Sequence, residues 1–156
     1  RSFKALHDQH SETRLIILGE GELRAEFEAL VSDLGLKDVV DLPGFDSNPY
    51  AYFKYASLFV LSSNWEGLPG VLIQALASKV KVVSTNCPSG PMEILDHAKF
   101  GLLVECNDQV GLMQAMQQAI FADYVHYSEA DFEAHIQQFH KATVLQQYLN
   151  MMESAI

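Results

Sequence analysis

The feature that most constrains the fold is an alternation of short, continuously apolar segments with segments of helical periodicity. LIIL and LFVL are apolar at successive positions, which is typical of strands buried on both faces of a parallel sheet. The predicted strands are residues 15–19, 39–44, 57–63, 81–86 and 101–106, with helical patterns near 21–34, 48–56, 69–78, 89–95 and 107–121. This alternation predicts right-handed βαβ units, and therefore an α/β fold with a doubly wound, Rossmann-like parallel sheet in a three-layer αβα arrangement.

Both ends of the chain depart from that alternation. Residues 128–138 and 140–154 are predicted to form two further helices with no strand between them, and Ser128 is placed to begin the first of them. Residues 2–10 have the pattern of the second half of a helix that runs directly into a strand. We therefore expect one domain over residues 1–156, truncated at its N-terminus so that its first strand is missing, with C-terminal helices over 122–156.

Composition excludes several classes of function. The formal net charge of −10 disfavours a nucleic-acid binder, which needs cationic patches, and also a module held on anionic lipid by charge. No apolar run approaches the roughly 20 residues of a membrane span, and no signal-peptide core is evident. Two cysteines are too few for a disulfide framework, and the six histidines show no metal-binding spacing. We expect a cytoplasmic protein with no metal site.

Two glycine-containing loops follow the first two predicted strands. Ligands of doubly wound sheets bind beyond the carboxyl ends of the strands, so both loops are candidate binding positions. Gly19 and Gly21 allow close approach of a ligand, but Arg24 stands where the dinucleotide-binding fingerprint has its third glycine. Taken alone, that loop is better explained as a tight turn. Gly44 and Phe45 either border a flat nucleobase or form an apolar plug, and the residues do not decide between these interpretations.

The third loop, in the segment SNWEGLPGVLIQALA (63–77), carries more information. Pro69 stands where a first helical turn begins, and the following helix is apolar on nearly every face apart from Gln74. Loop amides at a helix N-terminus form a natural phosphate site, and Glu66 beside them is suited to bind sugar hydroxyls. The alternative is a capping glutamate with a core glutamine bonded to backbone. From these residues alone both interpretations stay open.

The fourth loop lies in the segment NCPSGPMEIL (86–95), which is dense in proline, glycine and serine. Such a composition predicts a rigid, shaped loop at the end of a strand. Ser89 is placed to cap the short helix that follows, and Glu93 falls in its first turns. The alternative to a functional loop is an ordinary turn with an acidic helix start.

Taken together, the third and fourth loops carry a family resemblance. Residues 13–121 resemble the C-terminal, donor-binding half of a family 4 retaining glycosyltransferase with the GT-B fold. The matching stretches are LIILGEGELRAEFEAL, VVDLPGFDSNPYAYFKYASLFVLSSNWEGLPGVLIQALA and STNCPSGPMEILDHAKFGLLVECND. The resemblance implies transfer of a sugar from a nucleotide-sugar to an acceptor with retained anomeric configuration, without a required metal ion or other cofactor.

The resemblance also implies roles for individual residues. The family's signature is a glutamate, seven residues and a second glutamate, so Glu66 is the expected catalytic residue, contacting the donor sugar near its 3- and 4-hydroxyls. The second position, which grips the ribose hydroxyls, is Gln74 here, and a neutral amide lacks the charge-assisted strength of a carboxylate. The other implied contacts are to the donor sugar and phosphates (Gly19, Gly21, Gly67, Leu68, Pro69, Gly70, Val71) and to the nucleoside (Gly44, Phe45, Leu72).

The resemblance further implies an incomplete catalytic apparatus. In the family an Arg and a Lys that neutralise the phosphates precede the first helix of this domain, and the acceptor-binding half also lies upstream. We therefore expect the chain alone to be inactive. The whole enzyme is expected to use a UDP-linked hexose or N-acetylhexosamine and a glycan or lipid-linked acceptor, in bacterial surface polysaccharide or lipopolysaccharide synthesis at the inner membrane face. The alternatives are a GT-B epimerase or phosphorylase, and a non-catalytic Rossmann-like nucleotide-binding or regulatory module.

Overall fold

Parallel strands alternate with helices along most of the chain. The structure is a computed structural model that describes residues 1–122 and 127–154. Its strands are β1 (Leu15–Leu18), β2 (Val40–Gly44), β3 (Phe59–Leu61), β4 (Val82–Thr85) and β5 (Leu102–Val104). Its helices are α1 (Ser2–Gln9), α2 (Arg24–Asp33), α3 (Tyr50–Phe53), α4 (Gly70–Ala77), α5 (Pro91–Ile94), α6 (Gln109–Phe121), α7 (Glu129–Gln137) and α8 (Lys141–Ser154). The positions of the predicted strands and helices are confirmed.

The strands form two parallel sheets rather than the one sheet that the sequence predicts. β1 pairs with β2, while β3, β4 and β5 form a second sheet in that order. In the first sheet Leu15 lies opposite Val40 and Leu18 opposite Gly44, with an irregularity between these pairs. In the second sheet Leu61 lies opposite Ser84. All the pairings within the described residues are parallel, which fits the predicted α/β, Rossmann-like fold.

Helices cover both faces of the second sheet. Val82 and Val83 are neighbours on β4, both fully buried, but they belong to different hydrophobic clusters because successive side chains of a strand point to opposite faces. Val82 packs in a cluster with residues of α4, α5 and α7, whereas Val83 packs with Ala115 and Ala119 of α6. The predicted three-layer αβα arrangement is therefore confirmed around β4.

The prediction that continuous apolar strands are buried on both faces fails at β1. Ile16 and Ile17 are 51% and 40% exposed, although β1 is as apolar as any segment of the chain. β2 is the only strand that pairs with β1 among the described residues, and the neighbouring helix α2 buries none of its residues. These side chains are therefore only partly covered.

Of the helices outside the alternating pattern, α1 and α7 pack into the core as their residues predict, whereas α8 buries none of its residues. In α1, Phe3 and Leu6 are buried in a cluster with Met116 of α6, as their spacing indicates. Ser128 caps α7 by accepting a hydrogen bond from the backbone N–H of Asp131 at 3.1 Å. α7 and α8 occupy the two segments predicted as further helices, while 123–126 and 155–156 lie outside the described residues. No helix in the described part of the chain is long and apolar enough to cross a membrane.

Candidate functional site

The candidate site residues lie on the loops that follow the carboxyl ends of the strands. The first and second loops follow β1 and β2 of one sheet, and the third and fourth follow β3 and β4 of the other. Parallel strands present their carboxyl ends at the same edge of a sheet, so loops within each pair are neighbours. Hydrogen bonds join the two loops of each pair directly.

The first and second loops are joined through Arg24 and Gly44. The Gly19 N–H donates to the Gly44 carbonyl at 2.9 Å, and the Arg24 guanidinium donates to Glu20 at 2.6 Å and to the Leu42 carbonyl at 2.8 Å. Gly44 has φ +90°, and a Cβ placed there would lie 2.5 Å from the Glu20 carboxylate. The positive φ explains the glycine at 44, since the exposed Glu20 side chain could move away from a Cβ. Arg24, which breaks the dinucleotide fingerprint, serves to tie the two loops together.

The other members of these two loops are open to solvent. Gly19 and Gly21 have no heavy atom within 4 Å of where a side chain would begin, so a ligand has room to approach their backbone. The Phe45 ring is 76% exposed, which rules out the interpretation of Phe45 as an apolar plug. An exposed aromatic face beside an open glycine loop is compatible with a nucleobase and phosphate site.

In the third loop, Glu66 is held beside the start of α4. The Ser63 hydroxyl donates to one carboxylate oxygen of Glu66 at 2.7 Å, and the glutamate is half-buried. α4 begins at Gly70 after an extended Pro69, and no side chain caps it. Its first amides and those of the loop are therefore available to an anion. Gly67 and Gly70 have open space where a Cβ would stand.

The two residues of α4 that were assigned to the nucleoside, Leu72 and Gln74, differ in exposure to solvent. Gln74 is half-buried, and its side chain forms no hydrogen bond among the described residues, which removes the interpretation of a core glutamine bonded to backbone. The side chain of Leu72, in contrast, has no exposed surface and packs in the core with Leu76. The expectation that Leu72 covers a ribose is wrong for its side chain, because that face of α4 points to the sheet. Val71 is 37% exposed and Leu68 58%, so both face outward.

The fourth loop packs directly against the third. Ser89 does not cap α5 as predicted; its hydroxyl donates instead to the backbone carbonyl of Glu66 at 2.7 Å, and the N-cap position belongs to Gly90. Gly90 has φ +90°, and a Cβ there would lie 2.4 Å from Pro69 Cδ and 2.6 Å from the Gly67 carbonyl oxygen. The glycine is therefore required by the close approach of the two loops.

Sequence reasoning gave no role to Ser63 or Thr85, which also belong to this arrangement. Thr85 at the end of β4 is buried and donates its hydroxyl to the Ser63 carbonyl at 2.5 Å, while Ser63 itself bonds Glu66. The available signal was the spacing of Ser63 and Glu66, since serine hydroxyls commonly bond to groups two or three residues away. Nothing in the sequence indicates the contact of Thr85, which depends on the pairing of two strands.

The side of the fourth loop next to α5 and α7 borders a cavity of about 630 Å³. Polar side chains line part of it, including Asn86, Ser89, Glu93 and His135. The His135 ring contacts the Ile94 carbonyl at 2.7 Å and the Gln138 amide at 2.6 Å, so its two nitrogens are engaged within the protein. Across residues 1–122 and 127–154 no group of three or more His, Cys, Asp or Glu side chains is arranged to hold a metal ion.

Comparison with known proteins identifies the family. Residues 1–130 match the family described as Glycosyl transferases group 1. The chain belongs to this family. It is 44% identical over 95 residues to an uncharacterized glycosyltransferase of Methanocaldococcus jannaschii, a match covering 61% of the chain and 23% of the relative. A second relative, the N-acetylgalactosamine-N,N'-diacetylbacillosaminyl-diphospho-undecaprenol 4-alpha-N-acetylgalactosaminyltransferase of Campylobacter jejuni, is 39% identical over 113 residues, 72% of the chain and 31% of the relative.

Solved glycosyltransferase structures share the fold. A mutant form of S. aureus TarM, in complex with Fondaparinux, alpha-GlcNAc-glycerol and UDP, superposes with a TM-score of 0.85 over 96% of the chain at 22% identity. The superposed part is 31% of the TarM chain. This group 1 glycosyl transferase chain thus spans less than a third of the length of each of these three proteins.

Proposed function

We propose that the chain is the nucleotide-sugar-binding domain, over residues 1–156, of a retaining glycosyltransferase. The donor is a UDP-linked hexose or N-acetylhexosamine, and the acceptor is a glycan or a lipid-linked saccharide of bacterial surface polysaccharide or lipopolysaccharide synthesis. The observation that carries the proposal is the Glu66 carboxylate, held by Ser63 beside the uncapped N-terminus of α4. A fixed carboxylate next to free amides is suited to a ligand that joins sugar hydroxyls to phosphates.

In this proposal Glu66 binds the donor sugar. Ser63 donates to Oε1, and no hydrogen bond among the described residues uses the other carboxylate oxygen, which leaves that oxygen for a sugar hydroxyl. The backbone amides of Gly67, Leu68 and Gly70, with the start of α4, bind the diphosphate. During transfer the bond from the anomeric carbon to the phosphate oxygen breaks and UDP leaves with the electron pair. The acceptor oxygen bonds to that carbon, and its proton passes to the departing phosphate oxygen of UDP.

The nucleoside is proposed to lie along the outer side of α4 and the second loop. Gln74 donates and accepts hydrogen bonds with the ribose hydroxyls, since its amide has no bonding partner among the described residues. Phe45 offers its exposed face to the base, and Gly19 and Gly21 approach the phosphates. The bound UDP of TarM and the lipid-linked substrate in the name of the C. jejuni relative support the classes of donor and acceptor.

The chain is proposed to bind the donor without turning it over. Neutralising a departing diphosphate requires cations or dipoles aimed at it. Arg24 is engaged with Glu20, Glu28 and the Leu42 carbonyl, so it is committed to the loops. We propose that the cations and the acceptor site come from the other part of the enzyme, which works in the cytoplasm at the inner membrane face, and that neither a metal nor nucleic acid takes part.

Ligand-observed NMR of the protein with UDP, GDP, ADP and UDP-GlcNAc tests this proposal. We expect saturation transfer to UDP and UDP-GlcNAc, strongest at base and ribose protons, and weaker transfer to the other nucleotides. Equal transfer to all nucleotides would contradict the donor class. Absence of transfer to every nucleotide in the intact enzyme would overturn the proposal.

A non-catalytic nucleotide-binding module is the second candidate, and the neutral Gln74 favours it. Such a module binds nucleotide, and its affinity does not increase when a sugar is attached to the nucleotide. Comparing the affinities for UDP and UDP-GlcNAc distinguishes the two candidates, because only a donor site holds the sugar through Glu66.

A further inference from the structure

A chain of hydrogen bonds leads from the buried sheet to the carboxylate of Glu66. It begins at Thr85, the last residue of β4, which is only 4% exposed. The Thr85 hydroxyl lies 2.5 Å from the Ser63 carbonyl and 3.4 Å from the Leu61 carbonyl. β4 therefore fixes the backbone at the point where β3 ends and the third loop begins.

The next step of the chain fixes the side chain of Glu66. Ser63 donates its hydroxyl hydrogen to Glu66 Oε1 at 2.7 Å. A serine hydroxyl has one hydrogen to donate, so this bond commits it to the carboxylate. With the Ser63 backbone held by Thr85, the hydroxyl sets the direction in which the carboxylate points.

The fourth loop fixes the backbone of Glu66 from the other side. Ser89 donates to the Glu66 carbonyl at 2.7 Å, and the following Gly90 approaches so closely that an added Cβ would overlap Pro69 and Gly67. The side chain and the backbone of Glu66 are thus held by different serines from different loops.

We propose that Ser63 and Ser89 are positioning residues of the donor site, Ser63 acting through the Glu66 carboxylate and Ser89 through the Glu66 backbone. This inference rests on the proposed function, because it takes the Glu66 carboxylate as the group that binds the donor sugar. Preorganised groups bind more tightly because less conformational freedom is lost when the ligand arrives. The two serines therefore raise the affinity for the sugar part of the donor.

A double-mutant cycle tests the role of Ser63. Affinities of the intact enzyme for UDP and UDP-GlcNAc are measured in the wild type, Ser63→Ala, Glu66→Ala and the double variant. We expect Ser63→Ala to weaken UDP-GlcNAc binding about five-fold, the loss of one hydrogen bond, and to change UDP binding less than two-fold. In the Glu66→Ala background, which has no acceptor for the Ser63 hydroxyl, Ser63→Ala is expected to change UDP-GlcNAc binding less than two-fold, because coupled residues are not additive.

Ser89→Ala is tested in the same backgrounds. It removes a bond to the Glu66 backbone, so we expect it to weaken UDP-GlcNAc binding in the wild type and to change it less than two-fold in Glu66→Ala, where no carboxylate remains to be positioned. Ser63→Thr keeps a hydroxyl and is expected to restore most of the affinity. Ser57→Ala, an exposed serine before β3, is the matched control and is expected to leave both affinities unchanged.

The outcomes separate the inference from the proposed function. Equal weakening of UDP and UDP-GlcNAc by Ser63→Ala or Ser89→Ala, or additivity of either variant with Glu66→Ala, overturns the positioning role of that serine while UDP-GlcNAc binding still supports a donor site. If Glu66→Ala leaves UDP-GlcNAc binding unchanged, the sugar-binding role of Glu66 is wrong and the inference falls with it.

Discussion

At the scale of single residues, Gln74 is the side chain on which we propose that nucleotide affinity most directly depends. It is the only polar side chain of α4, and it is half-buried without a hydrogen bond among the described residues. No buried side-chain nitrogen or oxygen of the described residues lacks a partner, so the Gln74 amide reaches solvent, and in the proposed function ribose hydroxyls take the place of that water. A carboxylate in the same place accepts the same hydroxyls with about twice the strength of a neutral acceptor.

We therefore expect Gln74→Glu to tighten UDP binding by about 1 kcal/mol, or roughly five-fold. Titration calorimetry or ligand-observed NMR of the variant measures the change. Gln114→Glu, which adds the same charge at an exposed position of α6, is the control for the added negative charge. Unchanged or weaker UDP binding in Gln74→Glu alone would show that position 74 does not contact the ribose.

A sequence motif indicates which residues lie near a loop, but it does not indicate which face of a helix each of them occupies. Glu66 and Val71 lie in accessible positions at the third loop, as expected of ligand contacts. Leu72 is next in the chain, but each helical residue turns by about 100° and its side chain is buried in the core. Motif position alone therefore assigned Leu72 to the wrong side of α4.

At the scale of elements, the close contact between the third and fourth loops determines where both are placed. Gly90 combines a φ of +90° with a site in which a Cβ would overlap Pro69 and Gly67. Gly35, at the end of α2, has φ +67° but open space around it. Comparing substitutions at Gly90 and Gly35 therefore separates the free-energy cost of a positive φ from the free-energy cost of steric overlap.

We expect Gly90→Ala to destabilise the fold by about 2–4 kcal/mol, since strain at positive φ and overlap with a neighbouring loop add. Gly35→Ala is expected to cost about 1–2 kcal/mol from positive φ alone. Urea unfolding of both variants measures the difference. Equal losses of unfolding free energy in the two variants would contradict tight packing of the loops around Gly90.

The cap of α7 is a second test at this scale. Ser128 accepts the Asp131 N–H, and α7 supplies Phe132 and Ile136 to the core. We expect Ser128→Ala to reduce the free energy of unfolding by about 1 kcal/mol and Ser128→Asp, which keeps an acceptor, to retain most of it. Thermal unfolding checks both variants, and equal stabilities of the Ala and Asp variants would contradict the capping role.

The strands show what an apolar pattern predicts and what it leaves open. VVST of β4 is buried at every position because strands flank it on both sides and helices cover both faces. LIIL of β1 has the stronger apolar pattern, yet Ile16 and Ile17 are exposed. The apolar pattern of a strand indicates which of its surfaces can be buried. Whether they are buried also depends on which elements surround the strand in the fold.

At the scale of the whole molecule, one buried thiol couples the fourth loop to the stability of the fold. Cys87 is 3% exposed, and burial raises the pKa of its thiol above the ordinary value, with nearby Cys106 and Glu66 raising it further. The folded state therefore favours the neutral thiol. An unfolded chain exposes a thiol with an ordinary pKa of about 8.5.

The difference between the pKa of this thiol in the folded and the unfolded state stabilises the fold. This stabilisation is fully present below about pH 8.5 and is lost as the pH rises towards the folded pKa, because the unfolded chain releases its proton first. We expect the free energy of unfolding to fall between pH 8 and 9.5 at up to about 1.4 kcal/mol per pH unit from this group. In urea unfolding across that range, we expect the free energy of unfolding to depend less on pH in Cys87→Ala than in the wild type. In Cys106→Ala we expect a pH dependence close to that of the wild type. The range stops below the titration of Tyr127, whose pKa burial also raises. Identical slopes for the wild type and Cys87→Ala would show that the buried thiol does not control alkaline unfolding.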